Sequence, residues 1–330
     1  MKKSKVAILV GGDSEERVIS EMSASTVFQN MDLSVFDPRL IDIQGNDWKD
    51  VATGAQIDKN DFSLILDSAH WRPDVIFCAI HGSPLENGQL QGYFDTLKIP
   101  YTCCDGFTSA LTMNKYATKK LLHSLDLPLA EDLLFQHASR PDDAVVPLMV
   151  EKLGLPMFIK PNKHGSSFGV TKVKTAGEVM QAINYAFEFD DEVLCEQYIS
   201  GREFGNGVYQ YLGKTVALPP TEIIPKTDFF DYAAKYEGAS TEVTPADLST
   251  TQTTKIQQTA MQIYDRLHLS GFVRIDFILH EDQFYLLEVN TVPGLSPASI
   301  VPQQANAAGF TLTEFFRLVI EEAMAATEAM

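Results

Sequence analysis

Residues 272–290 read FVRIDFILHEDQFYLLEVN, and this stretch decides the fold. Aromatic and β-branched residues dominate 272–279 and 284–289, which predicts two strands joined by the polar link 280–283 as a β-hairpin. Side chains alternate faces along a strand, so Arg274 shares a face with Asp276, and Glu288 with Asn290. A three-residue loop, 281–283, sets Asp276 opposite Glu288 and Arg274 opposite Asn290. Two carboxylates facing each other at roughly 5 Å repel. A cation between them makes the arrangement reasonable, and oxygen-only ligands favour magnesium over zinc. The competing reading is a surface hairpin with a charged outer face. Against it stands the continuation Thr291-Val292-Pro293-Gly294, a Pro-Gly turn that sets the polar atoms at a strand end, where sites are usually built.

Composition bounds the rest. A chain of 330 residues, 45% hydrophobic and 21% charged, has the make-up of a globular protein with two or three cores. Its net charge of -18 leaves no basic footprint for nucleic acid, so any anion site must be local. The basic start, Met1-Lys2-Lys3-Ser4-Lys5, precedes an apolar run, 6–10, too short for a signal segment, and no stretch is long enough to span a membrane. Cys78, Cys103, Cys104 and Cys195 show no CxxC and no metal spacing, which suits reduced thiols in a cytoplasm.

Ahead of the hairpin the chain alternates strands and helices. A buried strand at 5–10 leads through Gly11-Gly12 into a helix over 14–31, an α/β opening, and a second buried strand, 74–80, ends at His81-Gly82. Neither GxGxxG nor GxxxxGK[ST] is present, and a tight turn without ligand explains Gly11-Gly12 as well as a binding loop does. A helical pattern over 109–122 carries Lys115. Further on, Met157-Phe158-Ile159-Lys160-Pro161 leads to Gly165-Ser166-Ser167-Phe168-Gly169. A lysine at a strand end followed by a loop of small residues is how a sheet folds a flap over nucleotide phosphates; a plain hairpin with a Ser/Gly tip is the alternative. The segment 192–198, with Glu203 shortly beyond it, could offer backbone groups to an adenine and a carboxylate to a ribose.

Taken in order, GGDSEERVIS (11–20), HGSPLENGQLQG (81–92), ALTMNK (110–115), IKPNKHGSSFGV (159–170), EQYISGREF (196–204), FFDYAAKYEG (229–238), GFVRIDFIL (271–279) and FYLLEVNTVPGLSPASIVP (284–302) form a connected pattern. It resembles the ATP-grasp superfamily and, within it, the D-alanine–D-alanine ligase family, over nearly the whole chain. The resemblance implies an α/β, three-domain ATP-grasp architecture. Residues 1–108 would form a Rossmann-like substrate domain, 109–195 a central subdomain with the phosphate flap, and 196–330 a subdomain with the metal site and a mobile loop.

It also implies roles. Asp276, Glu288 and Asn290 would bind two magnesium (or manganese) ions. Lys115, Lys160, Ser166, Ser167 and Lys235 would hold ATP through its phosphates, with Glu196, Ile199 and Glu203 lining the adenosine pocket. Glu16 would pair with the ammonium of the first D-alanine, and His81 would lie near its carboxylate. Arg274 and the backbone N–H of Gly294 would form the oxyanion hole. Ser299 and Ile300 would receive the second carboxylate, and Ser166 would link Glu16 to Tyr236. The first carboxylate would attack the γ-phosphate of ATP, and the second amine would then attack the acyl phosphate. The segment 228–244 reads either as a lid or as a plain exposed loop; as a lid it would close over this intermediate, carrying Lys235 and Tyr236.

Relatives that make esters tend to lack the Lys235-Tyr236 pair, which points to amide formation. Departures from the family pattern are Leu85, Asn87, Ala233 and His164, and they bear on fine substrate preference. The rival readings are a sister ligase that joins D-alanine to D-lactate or D-serine, and a non-catalytic nucleotide-binding protein. The family further implies a homodimer, activation by potassium, and peptidoglycan precursor synthesis.

Overall fold

The structure, a computed structural model, describes residues 3–66, 68–225 and 240–328. Its first sheet has the order β3-β2-β1-β6, built from β1 (Ser4–Gly11), β2 (Phe36–Gln44), β3 (Asp47–Asp50) and β6 (Val75–Phe77). A separate hairpin pairs β4 (Leu64–Leu66) with β5 (Ala69–Trp71). Both neighbours of β1 run parallel to it, and from Val6 to Val10 the strand is apolar and buried because it is covered on both sides. Val6, Ile8 and Val10 enter one core and Ala7 and Leu9 another, the period-2 split of a pleated strand. The helix after the Gly-Gly turn, α1 (Arg17–Gln29), starts later than the sequence suggests, because Ser14 is used in a turn where its hydroxyl donates to the His81 carbonyl at 3.1 Å. The helix α2 (Gln89–Leu97) packs Leu90 and Phe94 with Ala7, Leu9 and Ile41 of that sheet.

The predicted helix 109–122 is two helices, α3 (Gly106–Met113) and α4 (Lys115–Leu122). Asn114 breaks it: its backbone is extended and its side chain accepts from the Ala117 N–H at 2.9 Å, capping α4. That cap makes Lys115 the first residue of a new helix and fixes where its side chain leaves the backbone.

A central antiparallel sheet follows in the order β7-β10-β8-β9, from β7 (Asp132–Gln136), β8 (Met157–Pro161), β9 (Thr171–Val173) and β10 (Glu192–Gln197). It is backed by α5 (Val146–Leu153) and α6 (Val179–Ala186), whose apolar faces meet Ile159, Val193 and Cys195. The division expected between residues 195 and 196 falls inside β10, whose ladder with β8 extends to Gln197.

The largest sheet runs β14-β13-β11-β15-β16, with β12 also on β11. Its strands are β11 (Arg202–Tyr211), β12 (Lys214–Ala217), β13 (Thr221–Pro225), β14 (Ser240–Val243), β15 (Phe272–His280) and β16 (Gln283–Asn290). One face is covered by α7 (Thr250–Arg266), which starts at a Ser249/Gln252 capping box and buries Ile256, Ala260, Ile263 and Tyr264 against Val273, Ile275 and Phe277.

The β15–β16 pairing sets Arg274 against Asn290 and Asp276 against Glu288, as expected, but by another route. The turn has two residues: Glu281 (φ 45°) and Asp282 (φ 66°) are both left-handed, as the tightest hairpin turns require, and His280 pairs with Gln283. A two-residue turn alone would slip the register at Asp276 by one. A bulge opposite the Asp276–Phe277 step takes up Leu287 and restores it.

Two helices follow, α8 (Ile300–Ala307) and α9 (Leu312–Glu328). Phe315, Phe316, Val319 and Ile320 of α9 pack with Val6, Ile8, Val75 and Phe77 of the first sheet and with Tyr209 and Phe272 of the largest. Rings Phe77/Phe316 and Phe272/Phe315 meet with centroids 5.5 and 5.9 Å apart. The two sheets thus share one core through a helix far along the chain. They also meet at Gly271 (φ +66°), where a Cβ would lie 2.1 Å from the Thr102 carbonyl oxygen.

Candidate active site

Two cavities open along the junction of the three sheets. One, about 620 Å³, is lined by residues of α1, the His81 loop, β15, β16 and the turn into α8; the other, about 320 Å³, lies between the central and largest sheets. They meet at Lys115, His164, Gly165, Ser166 and Glu288, which line both. A polar chamber thus communicates with a slot through a throat carrying a lysine, a serine and a glutamate.

In the chamber, Glu16 is buried at the start of α1, and the Ser166 hydroxyl donates to its Oε1. Gly165 allows this approach, since a Cβ there would stand 3.0 Å from both Glu16 oxygens. Ser166 (φ 50°) and Ser167 (φ 60°) are left-handed, a conformation that costs energy for non-glycine residues and turns the flap's backbone inward. The expected Glu16–Ser166 link is present. Tyr236, its expected third member, lies outside the described residues, as do Lys235 and Ala233.

His81 lines the chamber as a neutral imidazole, its pKa lowered to about 4 by burial and further by the Arg274 charge, with the Val292 backbone opposing. Its Nε2 is 2.9 Å from the Ser23 hydroxyl. Ser23 in turn accepts the Leu295 N–H at 3.1 Å, so its own proton points at Nε2 and makes that nitrogen the acceptor. His81 therefore ties α1 to the Val292–Leu295 turn and brings no positive charge to a nearby carboxylate.

Arg274 is anchored from one edge: Nε and Nη2 each donate at 2.8 Å to Asp276, which is 2% exposed. Asn290 Nδ2 reaches the same carboxylate at 2.9 Å. Gly294 sits on the facing turn, where a Cβ would meet Ser299 Oγ at 2.8 Å. Ser299 is the N-cap of α8 but makes no side-chain cap bond; its hydroxyl pairs with Ser296 at 2.8 Å. Ser299 and Ile300 line the chamber at the start of α8, and the free N–H groups of a helix's first turn are of a kind that can take an anion.

The two opposed acids each have a protein cation. Arg274 holds Asp276, and Lys115 Nζ lies 3.6 Å from Glu288 while donating to the His164 carbonyl at 2.9 Å. Their proximity therefore does not by itself demand a metal ion, contrary to the sequence argument. Among the described residues, no group of three or more His, Cys, Asp or Glu side chains converges as a metal site. Asp276, Glu288 and the Asn290 amide still supply a hard, all-oxygen donor set that suits magnesium completed by phosphate oxygens, with Asn290 turned to present its oxygen.

The slot has apolar walls from Phe158, Tyr198, Ile199, Ile278 and Leu286. Lys160, Glu196, Glu203 and Ser167 add the polar groups expected there. Burial would raise the Glu196 carboxyl, but Lys160 and Lys119 on its two oxygens pull it down to about 2. Lys119 escaped the sequence reading, although its spacing from Lys115 on a helix was a usable signal. Ser23 left no such signal.

Glu86 stands between the departures Leu85 and Asn87, where the family pattern keeps its glutamate. It lines the chamber and accepts the Gly82 N–H at 2.7 Å. Burial first, and then Glu16, raise its pKa from 4.5 to about 8. Folding favours the protonated form, so its stabilising effect is complete below about 4.5 and is lost as pH rises through about 8. Glu86→Gln, neutral at every pH, is expected to gain stability over the parent at pH 8 but not at pH 4, read from urea midpoints at both.

Three sheets with a slot between the central and largest ones that borders a polar chamber match the ATP-grasp architecture. Solved structures agree: the VanG D-Ala:D-Ser ligase from Enterococcus faecalis superposes with a TM-score of 0.87 at 30% identity, covering 98% of this chain and 100% of that one. D-alanyl-alanine synthetase A from Vibrio cholerae gives 0.87 at 30%, covering 98% and 99%. The family models described as D-ala D-ala ligase N-terminus and C-terminus match residues 5–104 and 121–321, and the chain belongs to this D-alanine–D-alanine ligase family. A D-alanine–D-alanine ligase of Christiangramia forsetii is 42% identical over 325 residues, 98% of this chain and 99% of that protein. No described helix is long and apolar enough to cross a membrane.

Proposed function

We propose that the chain joins two molecules of D-alanine to D-alanyl-D-alanine, converting ATP to ADP and phosphate through an acyl phosphate. The observation that carries this reading is the shared throat, where Lys115, Ser166 and Glu288 border both slot and chamber. A γ-phosphate held there reaches a carboxylate in the chamber, as in-line phosphoryl transfer requires.

In this reading Glu16, fixed by Ser166, pairs with the ammonium of the first D-alanine and leaves its carboxylate facing the throat. That carboxylate attacks the γ-phosphorus and ADP departs. The second D-alanine lays its carboxylate on the Ser299–Ile300 helix start, and its free amine attacks the acyl carbon. Arg274 and the Gly294 N–H receive the tetrahedral oxyanion, and collapse expels phosphate. Asp276, Glu288 and the Asn290 oxygen would hold magnesium, which when bound neutralises phosphate charge. Lys115 and Lys160 then exchange their carboxylate partners for phosphate oxygens. Lys235 and Tyr236 belong to the proposed lid, and Glu203 to the ribose. A homodimer, activation by potassium, a cytoplasmic location and a part in peptidoglycan precursor supply complete the reading.

Phosphate release from Mg-ATP with D-alanine alone, with the product identified by mass, tests it. D-alanyl-D-alanine is expected. Release only on adding D-serine or D-lactate would move the chain to a sister ligase, and no release with any pair would overturn ligation.

A further inference from the structure

Lys119 stands one helical turn beyond Lys115 on α4, and only 3% of it is exposed. Its ammonium donates to Glu196 Oε1 at 2.5 Å and to the Ala130 carbonyl at 2.9 Å, and lies 2.9 Å from Asp132 Oδ2. Three acceptors use all three of its N–H bonds. The other Glu196 oxygen is taken by Lys160. The carboxylate at the end of the slot is therefore held between two ammonium groups of different standing. Lys160 lines the slot and, in the proposed mechanism, is the lysine that turns to phosphate when a nucleotide enters. Lys119 is not among the slot-lining residues, and besides Glu196 it is held by the Ala130 carbonyl and by Asp132, the latter outside the slot.

When Lys160 leaves, a carboxylate only 7% exposed would be left in a low-dielectric pocket. Without another cation it would take up a proton and become a donor. Lys119 prevents this. An ionised carboxylate can only accept hydrogen bonds, so it matches the exocyclic amino group of adenine and opposes the carbonyl oxygen that guanine carries at the same position.

We propose that Lys119 is a positioning residue for the nucleotide: it is the permanent counter-ion that keeps Glu196 an acceptor while Lys160 moves to phosphate, and so makes the slot selective for adenine over guanine nucleotides. The inference rests on the reading of the slot as the ATP site. Wild-type turnover with ATP checks that reading separately, and its absence would remove both.

The test compares wild type, Lys119→Met and the double variant Lys119→Met/Glu196→Gln, measuring KM for ATP, GTP and D-alanine, kcat, and the thermal midpoint. In Lys119→Met, KM for ATP is expected to rise about 10–100-fold, the loss of one charge-assisted hydrogen bond, with KM for D-alanine unchanged. The ATP-to-GTP ratio of kcat/KM should fall. Replacing Glu196 with a neutral amide removes the need for a counter-ion, so the double variant should recover part of the ATP affinity. An unchanged ATP-to-GTP ratio overturns the proposal, and so does an equal loss toward both nucleotides and D-alanine with a lowered thermal midpoint. Should Lys119→Met not fold, Lys119→Gln, which keeps a donor without the charge, is read by the same criteria.

Discussion

Replacing Arg274 with alanine is expected to lower kcat by about 10²–10³-fold, the cost of removing one oxyanion donor. The structure adds a second expected symptom. In the proposed mechanism Arg274 serves the attack of the second amine and not the formation of the acyl phosphate, so the intermediate should still form and be lost to water. Phosphate release should then exceed dipeptide formation. Because Asp276 is 2% exposed and bonded to Arg274 through both oxygens, the alanine variant also strands a buried carboxylate. Arg274→Lys controls for this. It keeps the charge beside Asp276 but lacks the planar two-point grip, so it should regain stability and recover little of kcat. Near wild-type dipeptide synthesis by Arg274→Ala would refute the assignment.

The second large effect is expected in stability. Gly271→Ala places a methyl group 2.1 Å from the Thr102 carbonyl oxygen at a residue with φ +66°. Left-handed strain contributes roughly 1–2 kcal/mol, and the overlap with backbone about 1–3 kcal/mol more. Relaxation is blocked on both sides of the seam. Ser270 donates from its hydroxyl to the Cys103 carbonyl at 3.1 Å, and the Cys104 thiol donates to the Ser270 carbonyl at 3.3 Å. A loss of about 2–5 kcal/mol should appear as a lowered thermal midpoint. The same displacement tilts the start of β15, so Arg274 three residues on should lose activity even at temperatures where the variant is folded. Wild-type stability would mean that the seam yields at no cost.

Much of the site was legible because it is local. Arg274, Asp276, Glu288 and Asn290 announce themselves by strand alternation and by a hairpin that brings them opposite. Yet the agreement in register hides two compensating departures: the turn is one residue shorter than expected, and Leu287 is bulged. Nothing in the composition of 281–287 separates a three-residue loop from a two-residue turn plus a bulge, since both keep the same faces at the site. The break at Asn114 was readable from its capping chemistry, but the apolar spacing across it is continuous and favours one helix. Ser23 and Lys119 stayed hidden for a different reason. Their partners, Leu295 and Glu196, lie far along the chain, so Ser23 left no local signal and Lys119 only its spacing from Lys115, while tertiary packing makes each of them part of the site.

The position of α9 has a consequence in time. The face of the first sheet made by Val6, Ile8, Val75 and Phe77 is covered by Phe315 and Phe316, which a ribosome adds long after Phe77. At ~5–20 residues per second the stretch between them takes on the order of 10–50 s to make. Throughout that interval the nascent chain carries an oily, strand-edged surface that α1 covers only in part, through Ala24 and Val27. Fragments halted before Leu312 should therefore be insoluble or held by chaperones, whereas chains released beyond α9 should escape them.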